Sequence, residues 1–247
     1  MSRLLITGVD GRMGRLIARD ANLFSLEVAA GVDSRLPEGV SFPVYGNVNE
    51  VKEEAEVLID FSSPDMLPSI LDFAIARKLP CVLCTTGYTM QDEAMIKEAS
   101  GSIAVFRSAN MSLGVYVLRQ LAKEASKMLP GFDIEIVEKH HNQKADSPSG
   151  TALALYESVK RQDSQKAFGR QGQVGARKPE EIGLHAVRGG TVAGEHEVGF
   201  YGPSETLLLT HSAQDRAVFA SGALRAARFL IGKTAGLYGM EELVAGI

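Results

Sequence analysis

The chain has 247 residues, enough for one large domain or two modest ones. Hydrophobic residues make up 45% and charged residues 23%, an ordinary globular balance, and a net charge of −4 argues against a nucleic-acid or anionic-membrane surface. The apolar runs fall far short of the ~20 residues of a membrane span, and no basic region with a long apolar stretch opens the chain, so a cytoplasmic protein is expected.

The first half alternates strand and helix patterns. RLLIT reads as a strand and RMGRLIARDANLF as a helix. LEVAAGVD is a second strand and AEVLIDFS a third. PDMLPSILDFAIARK is a helix with Pro64 in its first turn. PCVLCTTG is a fourth strand, TMQDEAMIKEASG a helix closed by Gly101, and IAVFRSA a fifth strand. Such alternation predicts a parallel sheet covered on both faces.

The second half changes character. LGVYVLRQLAKEASKML predicts a long amphipathic helix ending before Pro130. In FDIEIVEKH, Phe132, Ile134 and Ile136 face one side and Asp133 and Glu135 the other, the alternation of a half-buried antiparallel strand. TALALYESVKRQ is a helix, and the polar, glycine-rich stretch up to EEIG reads as a mobile loop. LHAVRGGTV, EHEVGFYG and ETLLLTHSA read as successive strands joined by turns, RAVFASGALRAARFLIG as a final helix, and the rest as a tail.

Three glycines, Gly8, Gly11 and Gly14, stand between the first strand and the first helix. The spacing differs from G-x-G-x-x-G, but the physical need is the same: a tight turn, close backbone approach to a pyrophosphate, and amides at a helix start aimed at the anion. A glycine-rich packing turn would use the same residues. The fold supplies a second test, an acid about 20 positions on, and Asp33 ends the second strand there. Its carboxylate suits the ribose hydroxyls and repels a 2′-phosphate, while Arg12 and Arg35 offset that repulsion. NADH is therefore expected to be favoured and NADPH tolerated. Asp10 puts a negative charge inside the loop and must point away from the phosphates.

Two of the five histidines are adjacent in EKHHNQKADSPSGTAL. Pro148 sets a rigid turn, and Ser149, Gly150 and Thr151 lie where the first helical amides are unpaired, which makes an anion site with Lys144 beside it. Histidine titrates near neutral pH and can donate a proton during turnover. If strand geometry persists, His140 and His141 face opposite sides and have separate jobs. A solvated loop before an ordinary capped helix is the competing reading.

GVDGRMG, CTTG, SANMSLGV, EKHHNQKADSPSGTA and RGGTVAGEHEV occur in this order, and with them the chain resembles the dihydrodipicolinate reductase family over nearly its whole length. The resemblance implies His140 as proton donor, Lys144 as its partner lysine, and His141, Gly150 and Thr151, with Ser149 in the same turn, as ligands of the substrate carboxylates. It implies a nucleotide over Gly8, Val9, Asp10, Gly11, Arg12 and Met13, with Asp33 on the ribose. It adds Cys84, Thr85 and Thr86 as one cofactor segment, and Ser108, Ala109, Asn110 and Met111 as another near the nicotinamide. The family commonly has Gly where Cys84 stands, Phe where Met111 stands, and often an arginine where Ser34 stands. It also implies a homotetramer joined through substrate domains.

Other signals read as structural. Cys81 and Cys84 lack a second pair at zinc spacing and sit in a buried strand. His185, His196 and His211 fall on strand-like stretches without a metal spacing, and the G-K-T near the C-terminus lacks the first glycine of a phosphate loop. The expected fold is α/β: a Rossmann-like dinucleotide-binding domain at 1–111 and 220–247, and an α+β substrate and oligomerisation domain at 112–219 with a mainly antiparallel sheet. The expected function is NAD(P)H-dependent reduction of a small dicarboxylated cyclic imine. Another amino-acid-pathway dehydrogenase, of aspartate or homoserine type, and a non-catalytic NADH sensor are the alternatives.

Overall fold

The first strand, β1 (Ser2–Thr7), carries Leu4, Leu5 and Ile6 in succession, all buried, as a strand covered on both faces must. The structure is a computed structural model that describes residues 1–35 and 39–246. After β1 come α1 (Arg12–Asp20), β2 (Leu26–Val32), β3 (Val44–Tyr45), β4 (Val57–Asp60), α2 (Leu67–Ala76), β5 (Cys81–Leu83), α3 (Met90–Ala99) and β6 (Ala104–Arg107). They are followed by α4 (Leu113–Met128), β7 (Asp133–His140), α5 (Gly150–Val159), β8 (Gln165–Phe168), β9 (Glu181–Arg188), β10 (Gly194–Tyr201) and β11 (Thr206–Ala213). The chain ends with α6 (Ala217–Leu230), β12 (Gly236–Tyr238) and α7 (Met240–Ala245).

Two compact units result: Met1–Ser112 with Ala217–Ile247, and Leu113–Arg216. The second crossing falls at 216/217 rather than the expected 219/220, because α6 begins at Ala217 and packs as one rod on α1, β4 and β5.

The first unit holds a seven-stranded sheet in the order β12-β6-β5-β4-β1-β2-β3, with every pairing parallel. Strand order reverses at β1, so the carboxyl ends of β1 and β4 flank the point where open α/β sheets bind ligands. Leu5, Leu58, Leu83 and Val105 pack there against Leu67, Ile70 and Ile96 of α2 and α3. Burying each such side chain stabilises the fold by roughly 1.5–3 kcal/mol. Helix α3 starts from a reciprocal cap: Asp92 N donates to Thr89 Oγ1 at 3.2 Å, and Thr89 N donates to Asp92 Oδ2 at 2.8 Å. The stretch read as a tail forms β12, which adds to the β6 edge, and α7.

The second unit holds a five-stranded sheet in the order β11-β10-β7-β9-β8. The expectation of a mainly antiparallel sheet is corrected here, because the sheet is mixed. β11–β10 and β10–β7 are antiparallel, but β7–β9 and β9–β8 are parallel. The cause is two returns of the chain: α5 carries it from β7 to β8 and residues 169–180 carry it from β8 to β9, each re-entering the sheet in the direction of β7. β9 and β10 are therefore not a hairpin; β7 lies between them. β8 arises inside the stretch read as a loop, where Gln165, Lys166 and Phe168 are exposed and no apolar alternation announces a strand. One face of the sheet carries Ile134, Ile136, Ile182, Leu184, Val198 and Phe200 against α4 and α5. The opposite face carries Glu135, bonded to Arg170, Arg177 and His185, and exposed Val187 and Leu208.

Candidate active site

In the first unit, Gly8 leaves β1 at φ +76°, and a Cβ there would lie 2.5 Å from the Phe61 carbonyl oxygen. A Cβ on Gly14 would lie 2.1 Å from the Gly8 oxygen, so the start of α1 packs directly on the strand exit. Both positions therefore require glycine. Gly11 is the N-cap of α1; no side chain caps this helix and no acid occupies its first turn. Its leading amides thus have no side-chain competitor for an anion, which fits a dinucleotide pyrophosphate. Val9 is buried against Gly31 and offers only backbone, Arg12 is exposed, and Met13 is half-buried.

The Asp10 carboxylate is taken up by Arg15. Its Oδ1 lies 2.6 Å from Arg15 Nη2, and Arg15 Nε donates to its carbonyl at 3.0 Å. The Asp10 amide donates to Asp33 Oδ2 at 2.9 Å, tying the acid at the end of β2 to the glycine turn. Asp33 Oδ1 also accepts from the Arg35 amide at 3.2 Å. A carboxylate fixed beside the turn fits the ribose role.

The next strand end holds a carboxylate that sequence reasoning missed. Asp60 is fully buried at the end of β4. Its Oδ1 accepts from Thr7 Oγ1 at 2.6 Å, Ser62 Oγ at 2.5 Å and Ser62 N at 3.0 Å. Its Oδ2 accepts from Thr85 Oγ1 at 2.7 Å and Tyr88 OH at 3.2 Å. One side chain thus gathers the exits of β1, β4 and β5. Burial and the Asp60 charge push the Cys81 thiol up to about 12, and push the Cys84 thiol and the Tyr88 phenol well above their ordinary values. Both cysteines are buried free thiols. Thr86 is exposed beside them. Ser108, Ala109, Asn110 and Met111 form a self-bonded turn in which Ser108 Oγ donates to Asn110 O at 2.7 Å and Ser112 N donates to Asn110 Oδ1 at 2.9 Å. Met111 is buried, and a Cβ on Gly222 of α6 would collide with its carbonyl.

In the second unit, the period of two in β7 places Ile134, Ile136, Glu138 and His140 on the covered face. Glu138 is fully buried. Arg188 of β9 grips it with two bonds, Nη1 to Oε2 at 2.8 Å and Nη2 to Oε1 at 2.7 Å. His140 Nδ1 lies 2.5 Å from Oε2, and the Ser149 amide donates to Oε1 at 3.0 Å. Burial opposes the charge on Glu138, yet the bonds from Arg188, His140 and Ser149 prevail and hold its carboxyl below the ordinary value.

Ser149 caps α5, accepting from Ala152 N at 3.2 Å. Its hydroxyl also lies 3.1 Å from Nε2 of His196. The His196 ring meets His140 edge to face, with centroids 5.1 Å apart. Burial, with the neighbouring His140, lowers the pKa of His196 to about 4, so this ring is neutral at physiological pH. Gly150 begins α5, and a Cβ there would enter open space. Thr151 follows it in the first turn, and His141 is half-buried at the strand exit. Lys144 Nζ pairs with Asp146 Oδ1 at 2.8 Å, and the exposed Asp146 is held below its ordinary pKa by that lysine.

The structure therefore unites His140, Ser149 and the start of α5 through Glu138, and it ties Asp33 to the glycine turn. Glu138, Arg188 and Asp60 escaped the reading of the sequence, and His196 was read there as structural. The signal for Glu138 was present, since the alternation seen at Ile134 and Ile136 continues through 138 to 140.

The parallel sheet with its glycine turn fits a dinucleotide-binding unit, and the chain joins it to a second sheet with a buried acid–imidazole pair. Residues 2–111 match the dihydrodipicolinate reductase N-terminus and residues 114–244 the dihydrodipicolinate reductase C-terminus, so the chain belongs to the dihydrodipicolinate reductase family. A relative from Caldanaerobacter subterraneus subsp. tengcongensis, named 4-hydroxy-tetrahydrodipicolinate reductase, is 52% identical across 99% of this chain and 98% of its own. One of the same name from Clostridium tetani is 45% identical across 98% of this chain and 96% of its own. Among solved structures, the dipicolinate-bound dihydrodipicolinate reductase from Paenisporosarcina sp. TG-14 has the same fold, with a TM-score of 0.77 at 23% identity, covering 98% of this chain and 99% of that chain.

Proposed function

We propose that the chain reduces 4-hydroxy-tetrahydrodipicolinate, through its dehydrated cyclic imine, to tetrahydrodipicolinate in the diaminopimelate route to lysine. The observation that carries this reading is an imidazole, His140, held 2.5 Å from a fully buried carboxylate at the start of α5. An acid and an anion-binding helix start on one scaffold suit a small dicarboxylate that must gain a proton on carbon.

The first unit binds the nucleotide through the Gly8–Met13 turn, Asp33, the Cys84–Thr86 segment and the Ser108–Met111 turn. A nicotinamide held there would supply a hydride to the ring carbon left electrophilic by loss of water. His140 then donates a proton to the resulting enamine carbon, a step that typically contributes 10²–10⁴-fold. Lys144 exchanges its Asp146 partner for a substrate carboxylate and supports the proton transfer. His141, Ser149, Gly150 and Thr151 hold the carboxylates through amides and side chains. Asp33 favours NADH, and Arg12 and Arg35 admit NADPH. The uncovered face of the second sheet, with Val187 and Leu208, serves assembly into a homotetramer. The reaction belongs to the cytoplasm, where reduced nucleotides are regenerated.

Steady-state oxidation of NADH and NADPH tests the reading. Turnover is expected only with the dipicolinate-pathway substrate, with kcat/KM higher for NADH. Oxidation driven by an aspartate- or homoserine-type substrate instead, or tight NADH binding without turnover, would overturn it.

A further inference from the structure

We infer that Glu138 is the positioning residue of the proton-donating step, fixing which nitrogen of His140 carries the mobile proton and joining that ring to the carboxylate-binding helix start. The inference rests on the reading of His140 as the donor.

A carboxylate with no exposed surface is tolerated only when fully bonded. Glu138 receives four donors on two oxygens: Arg188 twice, His140 Nδ1 and the Ser149 amide. An ionised carboxylate accepts hydrogen bonds and donates none. His140 Nδ1 is therefore the N–H side of the ring in both protonation states, and Nε2 is the nitrogen that exchanges a proton. In the step itself, the Nε2–H bond of the imidazolium breaks, a C–H bond forms on the substrate, and the ring remains as neutral Nδ1–H imidazole against Glu138.

The surroundings of Nε2 fit this assignment. Gly194 of β10 stands beside it, and a Cβ there would lie 3.1 Å from Nε2. The backbone thus presents no side chain where the substrate must approach. Ionisable groups reach the ring or its partners from every element packed here. From β7 comes Glu138 and from β9 its clamp Arg188. From β10 comes His196, neutral at working pH, with His211 of β11 acting on it in turn. The loop after β7 brings Lys144 with its partner Asp146. Among the described residues, Glu138 is the carboxylate in direct bond with the ring. Its second oxygen holds the Ser149 amide, so the acid and the start of α5 share one anchor.

The test is turnover with NADH and the pathway substrate, together with nitrogen-15 spectra of the His140 ring, for wild type, Glu138→Gln and the double variant Glu138→Gln/Arg188→Met. The double variant removes both charges and keeps the measurement possible if Glu138→Gln alone leaves Arg188 too poorly paired to fold. Both variants are expected to lose 10–100-fold in kcat. Nitrogen-15 chemical shifts of the His140 ring are expected to report a single Nδ1–H tautomer in the wild type and a mixture in the variants. A rate loss with the wild-type tautomer would reduce Glu138 to a structural residue and overturn the inference. A wild-type rate would overturn it as well. His140→Gln separates this from failure of the donor assignment: if that variant keeps wild-type kcat/KM, His140 is not the donor, whatever Glu138 does.

Discussion

Two buried carboxylates, one in each unit, are held by opposite chemistries. Asp60 is surrounded by neutral donors: hydroxyls from Thr7, Ser62, Thr85 and Tyr88, and one amide. Glu138 is surrounded by a guanidinium, an imidazole and one amide. Neutral donors have nothing to titrate near neutral pH, so the Asp60 cluster can only hold strand exits in place. The Glu138 cluster contains an ionisable partner, so its hydrogen bonds change strength as the imidazole gains or loses charge. The first arrangement suits binding, and the second suits proton transfer.

That contrast can be broken by substitution. The largest effect is expected from His140→Gln: kcat falls by about 10²-fold or more while NADH binding is unchanged, because the loss is confined to the proton transfer. Stopped-flow turnover and NADH titration check both halves. Lys144→Ala is expected to raise KM and to lower kcat/KM by roughly 10-fold or more, as a lost charged hydrogen bond implies. Steady-state kinetics over substrate concentration checks this. Asp60→Asn should give the mirror image: about 2 kcal/mol less stability, a several-fold weaker Kd for NADH, and kcat at saturating nucleotide close to wild type. Denaturant unfolding with NADH titration would expose the contrast as mistaken if kcat fell instead.

The smallest effect concerns His196. Its folded pKa, about 4, lies below the ordinary value of 6.5, so the unfolded chain binds the proton first as pH falls. The stability this neutral ring contributes is present above about pH 6.5 and is lost as pH falls toward 4. Thermal melts of His196→Asn should decline less across that window than melts of the wild type.

The sequence made β1, β2, β4, β5 and β6 of the first unit legible because each is a mostly apolar run buried on both faces. Gly8, Asp33 and the helix starts could be placed from spacing alone. β8 and β12 could not, because Gln165–Phe168 and Gly236–Tyr238 are short edge segments whose pairing is decided by neighbours far along the chain. The mixed character of the second sheet was hidden for a related reason. Alternation reports which face is buried and says nothing of the direction of the adjacent strand, which the connections through α5 and residues 169–180 decide. The same limit concealed Arg188 and the place of His196 beside His140. Their approach to Glu138 depends on β7 lying between β9 and β10, not on any local pattern.

The central place of β7 has a consequence for how the molecule breathes. A strand flanked on both sides frays last, so hydrogen exchange at 134–140 should be governed by the global opening of its unit rather than by local motion. A slip of one residue would throw the acid and its anchor to the far side of the sheet together. The outer strands β8 and β11 can loosen or accept new side chains without disturbing the proton donor. The chemistry is thus seated in the segment with least freedom, and adaptation is left to the margins.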